Sequence, residues 1–119
     1  MSSVKEYLEV YAANVKHMGG PGAGQHTKMA NQIMIASSMV GLCESLLYAQ
    51  KAGLNHEAMI ALLENGAAAS FNLSKLGPRM LKRDFEPGFY IEHFVKDLGI
   101  VLDESRRMEL SVPGTALAH

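Results

Sequence analysis

Lys28, Asn31 and Gln32 stand at i, i+3 and i+4, just inside the longest helical pattern of this 119-residue chain. A glycine-rich turn, Gly19-Gly20-Pro21-Gly22-Ala23-Gly24, opens that pattern. The spacing puts one cation and two amides on a single helix face. Backbone N–H groups at a helix start have no partners within the helix and carry a partial positive charge, so a carboxylate or phosphate can dock there. The same field discourages a second positive charge, which makes Lys28 a candidate proton donor and acceptor. Two phosphate-binding fingerprints are excluded. No glycine precedes a lysine, as a P-loop requires, and G-x-G-x-x-G fails at Gln25 counted from Gly20 and at Thr27 counted from Gly22.

The elements that must position these groups are helical. Residues 23–52 form one pattern of roughly 45 Å at about 1.5 Å per residue. From Met29 to Ala49 its apolar residues cover almost the whole circumference, which predicts a long central helix buried on all sides. Ser37, Gly41, Ser45 and Ala49 make a small-residue stripe where another helix can approach, from this chain or a partner. Gly53 is the expected stop. Asn55 caps a second helix that runs toward Gly66. Ala67–Leu76 is a third helical segment, broken or kinked by Gly77-Pro78, with a last turn over Arg79–Arg83. Asp84–Gly88 is a loop. Tyr90–Leu110 is the last long helix, with Ile91, Phe94, Val95, Leu98, Val101 and Leu102 inward and Glu92–Lys96 and Asp103–Arg107 as i,i+4 pairs. Val112-Pro113-Gly114 ends it, and a new helix begins at Thr115. Upstream, Ser3-x-x-Glu6 fits a capping box for a short helix over 3–12, and residues 14–18 read as an extended segment.

Composition bounds the function. The chain is 48% hydrophobic, 19% charged and carries a net charge of −1, so neither nucleic acid nor an anionic membrane is an expected partner. The polar residues Ser37, Ser38, Glu44 and Ser45 argue against the long helix spanning a membrane. One cysteine, Cys43, excludes an internal disulfide and suits a reducing compartment such as the cytoplasm; its apolar neighbours predict an inert core residue. His17, His26, His56, His93 and His119 show no metal-ligand spacing, and no metal is expected.

Gly22-x-Gly24-x-x-x-Lys28-x-x-Asn31 resembles the catalytic signature of the β-hydroxyacid dehydrogenases, which include 3-hydroxyisobutyrate dehydrogenase, tartronate semialdehyde reductase and glyoxylate/succinic semialdehyde reductases. Arg83-Asp84-Phe85-Glu86-Pro87-Gly88-Phe89 and Lys96-Asp97-Leu98 with Asp103 follow in the family's order. Lys-Met-Ala-Asn-Gln and Phe-Glu-Pro-Gly-Phe are most similar to tartronate semialdehyde reductase. The resemblance implies an all-α domain like the C-terminal domain of 6-phosphogluconate dehydrogenase. It makes residues 1–18 the end of a nucleotide-binding domain and 19–119 a helical substrate, catalytic and dimerisation domain, truncated at its C-terminus.

It also implies roles. Lys28 is the proton donor and acceptor. Gly22, Gly24, Asn31, Gln32, Phe89 and Asp97 meet a small carboxylate substrate, and Lys96 meets NAD or NADP. The cofactor is held mainly by a Rossmann domain that this chain lacks, so the chain alone is expected to be inactive. The apolar circumference of residues 29–49, underburied in the isolated chain, makes a homo-oligomer the expectation. Two other readings remain open: a non-catalytic helical association module, and a relative of 6-phosphogluconate dehydrogenase or the imine reductases.

Overall fold

A computed structural model describes residues 19–119, and among them the regular elements are all helical. The short helix expected over 3–12 and the extended segment expected over 14–18 lie outside the described residues.

Helix α1 runs Ala23–Ala52, where the apolar pattern placed it. Its end is built by Gly53 at φ 75°, whose N–H reaches the Gln50 carbonyl at 3.3 Å, while the Leu54 N–H reaches Ala49 at 2.9 Å. This pair of bonds satisfies carbonyls that the helix itself leaves open. Helix α2 is His56–Leu63, and the Asn55 side chain accepts the Ala58 N–H at 2.8 Å as its cap.

The next stretch departs from the expected helix over Ala67–Leu76. Residues 67–68 form a turn and 69–70 are irregular, the Ser70 hydroxyl accepts the Leu73 N–H at 2.9 Å, and Asn72–Leu76 is π-helical. Gly77-Pro78 does not break the chain there. The Gly77 N–H bonds back to Asn72, and helix α3, Gly77–Leu81, continues directly with Pro78 in its first turn. Proline lacks an N–H, and the wider π turn followed by a fresh first turn is where that donor is not needed. Gly77 is itself buried, and a Cβ on it would stand 3.1 Å from Ile60 Cδ1, so its lack of a side chain lets α3 close on α2.

Helix α4 spans Ile91–Arg107 and stops short of Leu110. Glu109 turns left-handed at φ 57°, and the Leu110 N–H doubles back to Ser105 at 2.8 Å. Arg83 does the same after α3, with the Asp84 N–H on Arg79 at 2.8 Å. Helix α5, Pro113–Ala118, starts at the proline rather than at Thr115. The ion pairing near the end of α4 differs from the expected Asp103–Arg107: Arg106 reaches Asp103 at 2.9 Å and Arg107 reaches Glu104 at 2.8 Å, both i,i+3. The expected Glu92–Lys96 pair is not among the ion pairs of the described residues.

Among the described residues α2, the π segment, α4 and α5 pack on α1, and α3 packs on the π segment and α2. The C-terminal half of α1 meets α2, the π segment and α3 around Leu42, Ile60 and Leu73, with Met39, Leu46, Leu63, Leu76, Met80 and Leu81 against them. Helices α4 and α5 pack on α1 as well, and there Gln32, Ala36, Asp97, Leu98, Val101, Ser105 and Thr115 are buried. Gly114 of α5 approaches Ser37, whose Oγ would be 3.7 Å from a Cβ placed there, so this chain itself occupies one end of the small-residue stripe. Gly41 and Ser45 instead line an open cleft of about 260 Å³.

The long helix is central, but it is not buried on all sides. Only Gln32, Ala36, Leu42 and Ala49 are buried, whereas Met34 is 75% exposed, Leu47 68% and Tyr48 75%. The shorter helical segments leave much of a 30-residue helix uncovered. Cys43 is likewise exposed, not a core residue.

Candidate active site at the α1–α4 crossing

The site begins with Gly22, the residue before α1, held at φ 88° and ψ −18°. A side chain would be strained there, which is why the turn needs glycine. The Ala23 N–H bonds to Gly20 and the His26 N–H to Gly22, leaving the amides of Gly24 and Gln25 without a backbone partner among the described residues. A Cβ on Gly24 would meet nothing within 4 Å, so the backbone is bare on that side. Unpaired amides at a helix start form an anion-seeking surface.

Lys28 is exposed one turn further in. Gln32, one turn beyond Lys28, is buried, and its Nε2 donates to Asp97 Oδ2 on α4 at 2.9 Å. This contact spans 65 positions and joins two of the motifs picked out in the sequence. Asn31 is exposed and donates its Nδ2 to Gln32 Oε1 at 3.3 Å. Lys28, Asn31, Gln32 and Asp97 therefore form one constellation, a cation followed by a continuous run of polar groups reaching into the protein. Buried Asp97 has a donor on it, as a buried carboxylate requires. Lys96 precedes Asp97 and is exposed to solvent.

Phe89 is not among these contacts. It sits in the segment before α4, 56% exposed, with its ring 6.1 Å from both His93 and Phe94. The loop that carries it is shaped by Arg79, which sequence inspection passed over. Its Nε donates to Asp84 Oδ2 at 3.1 Å and its Nη2 reaches the Glu86 carbonyl, while the Glu86 N–H folds back on Asp84 Oδ1 at 3.3 Å. The Arg79 guanidinium first, and the Glu86 amide second, hold the Asp84 carboxyl below its ordinary range. Arg79 and Asp84 stand five apart across a helix end, and that spacing was the available signal.

Asn72 was missed as well. Buried in the π segment, it donates to the Ile35 carbonyl at 3.1 Å and to Ser38 Oγ at 2.6 Å, pinning that segment to α1. An amide inside an apolar run was its only mark. At the other end of α4, Arg107 holds Glu104 below the usual carboxylate range, and His26 of α1 lies close enough to add to the effect. Among the described residues no three His, Cys, Asp or Glu side chains gather as a metal site would require.

The glycine-opened start of α1, Lys28 one turn in and the Gln32–Asp97 contact to α4 thus lie together in one helical domain. Comparison with known proteins gives its family. The family model described as the NAD-binding domain of NADP-dependent 3-hydroxyisobutyrate dehydrogenase matches residues 22–119. The chain is 56% identical over 105 residues to a probable 3-hydroxyisobutyrate dehydrogenase-like mitochondrial protein of Arabidopsis thaliana, covering 88% of this chain and 31% of that one. It is 40% identical over 113 residues to 2-hydroxy-3-oxopropionate reductase of Escherichia coli, covering 95% and 39%. The crystal structure of 3-hydroxyisobutyrate dehydrogenase from Salmonella typhimurium superposes with a TM-score of 0.87 at 25% identity, covering 98% of this chain and 41% of that one. The chain belongs to the 3-hydroxyisobutyrate dehydrogenase family. It spans 31–39% of the length of these two curated relatives.

Proposed function

We propose that this chain is the helical, substrate-facing half of an NAD(P)-dependent oxidoreductase that interconverts a small 3-hydroxy acid and the corresponding aldehyde acid, with tartronate semialdehyde as the substrate type. The observation that carries this reading is the Gln32–Asp97 contact, which gathers two separated family motifs beside Lys28. The bare amides at Gly24 and Gln25 would take the substrate carboxylate, and Asn31 and Gln32 would orient the reacting end. Lys28 would give its proton to the carbonyl oxygen as the carbon is reduced and take it back in the reverse direction, its charge steadying the oxygen between. Phe89 would cover the substrate. Exposed Lys96 suits a cofactor phosphate or carboxamide, and the bound nicotinamide would supply the hydride. The remaining cofactor contacts belong to a Rossmann domain outside this chain. Tartronate semialdehyde is favoured by the likeness to 2-hydroxy-3-oxopropionate reductase, since 2-hydroxy-3-oxopropionate is the systematic name of that compound.

The uncovered surface of α1 supports self-association, because Met34, Leu47 and Tyr48 are exposed large apolar side chains on one helix. The same surface is what favours the second reading, a helical association module without catalysis. Calorimetry on the isolated chain tests the division of labour in the first. Tartronate and 3-hydroxyisobutyrate are expected to bind no tighter than about millimolar, near −4 kcal/mol, because half the pocket is elsewhere. Micromolar affinity for NADH in the isolated chain would contradict the division of labour.

A further inference from the structure

The Gln32–Asp97 contact decides more than where Gln32 sits. An ionised carboxylate only accepts hydrogen bonds, whereas a primary amide donates from nitrogen and accepts at oxygen. The atom of Gln32 that stands 2.9 Å from Asp97 Oδ2 must therefore be Nε2, since an amide oxygen there would face the carboxylate with no proton between them. Gln32 Oε1 is then the atom 3.3 Å from Asn31, so Asn31 must offer Nδ2 in return. Each amide orientation follows from the one before it, and the series starts at a buried carboxylate that has only one sense available.

We propose that Asp97 is a positioning residue: through Gln32 it fixes the amide of Asn31 so that Asn31 Oδ1 is presented at the open surface beside Lys28, making that spot a hydrogen-bond acceptor for a ligand hydroxyl. This deepens the functional reading above and rests on it for the identity of the ligand. In this account Asp97 acts through Gln32, whose amide its Oδ2 accepts, from a position that is 7% exposed. The polarity also gives the ligand a direction. An acceptor oxygen at Asn31 repels a carboxylate, which belongs instead at the amides of Gly24 and Gln25, and it welcomes the hydroxyl of a hydroxy acid next to Lys28. Asn31 Nδ2 keeps one further proton to offer.

The test exchanges the two ends of the relay. Asp97→Asn keeps the shape but removes the one-way character, because an asparagine can either accept from Gln32 or donate to it. The Asn31 side-chain amide signals of the ¹⁵N-labelled chain are expected to change from one set to two, or to broaden. Adding Gln32→Glu restores a single sense. The carboxylate then sits on α1 and the amide on α4, and that carboxylate accepts from the α4 amide and from Asn31 alike, so one set of signals should return. In the protein joined to its dinucleotide-binding half, the KM for the hydroxy acid should rise about tenfold in Asp97→Asn, the size of one hydrogen bond, and recover in the double variant. A folded Asp97→Asn with Asn31 signals unchanged would overturn the proposal. So would a double variant that shows two sets or does not fold, because the swapped pair satisfies the same atoms. If Asp97→Asn itself fails to fold, the double variant decides alone. The spectra need no turnover, so an inactive joined protein with the expected spectra would sink the oxidoreductase reading and leave the relay standing.

Discussion

Lys28→Ala is expected to cut turnover by about 10²–10⁴-fold in the protein that carries this chain together with its dinucleotide-binding half, the usual size of general acid–base catalysis. Lys28 is exposed, so its removal leaves no cavity, and the change in stability should stay within about 0.5 kcal/mol. A large loss of rate with the fold intact would isolate the chemistry. Lys28→Arg keeps the charge but cannot release a proton near neutral pH, so it should remain nearly as slow. Lys96→Ala should act the other way, raising the apparent KM for the cofactor more than it lowers kcat. Steady-state kinetics on the three variants makes the comparison. Full activity in Lys28→Arg would mean that charge alone suffices, and the proton-transfer role would be withdrawn.

Leu98→Ala is the substitution expected to damage the fold most. Leu98 is 2% exposed and follows Asp97 directly, on the helix that α1 and α5 both touch. Truncating such a side chain removes its burial and leaves a cavity, about 2–5 kcal/mol together. Domains of this size are stable by only about 5–15 kcal/mol, so that is a large share. Urea unfolding of the isolated chain followed by circular dichroism measures it. A loss under about 1 kcal/mol, well below the usual cost of such a truncation, would mean that α4 is not held on α1 as described. The Gln32–Asp97 bond should weaken in parallel, because the same helix contact carries both.

Helix boundaries were legible where a residue type marks them. Gly22 and Gly53 bracket α1 because the left-handed backbone at each favours glycine, and Asn55 announces α2 because its side chain accepts an amide. The ends of α3 and α4 were not legible, since Arg83 and Glu109 adopt the same left-handed conformation without a residue type that signals it. The π segment over Asn72–Leu76 was read as an ordinary helix because a π turn leaves no trace in apolar spacing. Likewise, an apolar circumference shows that a helix lacks a wet face, but not how much chain is at hand to cover it. Met34, Leu47, Tyr48 and Cys43 are exposed for that reason.

The candidate site was legible as residues and not as contacts. Lys28, Asn31 and Gln32 share a face by helical spacing alone. Asp97 entered through family likeness, and only the folded chain puts it 2.9 Å from Gln32. Arg79 escaped notice because its function is to hold a loop through Asp84 and Glu86, an arrangement with no short motif.

Turnover of this chain before and after it is joined to a dinucleotide-binding half tests the central claim most directly. With NADH or NADPH and tartronate semialdehyde, the isolated chain should show no consumption of the reduced cofactor, and the joined protein should consume it in step with substrate. Cofactor consumption by the isolated chain, or a folded joined protein that reduces neither tartronate semialdehyde nor any other small aldehyde acid, would contradict it.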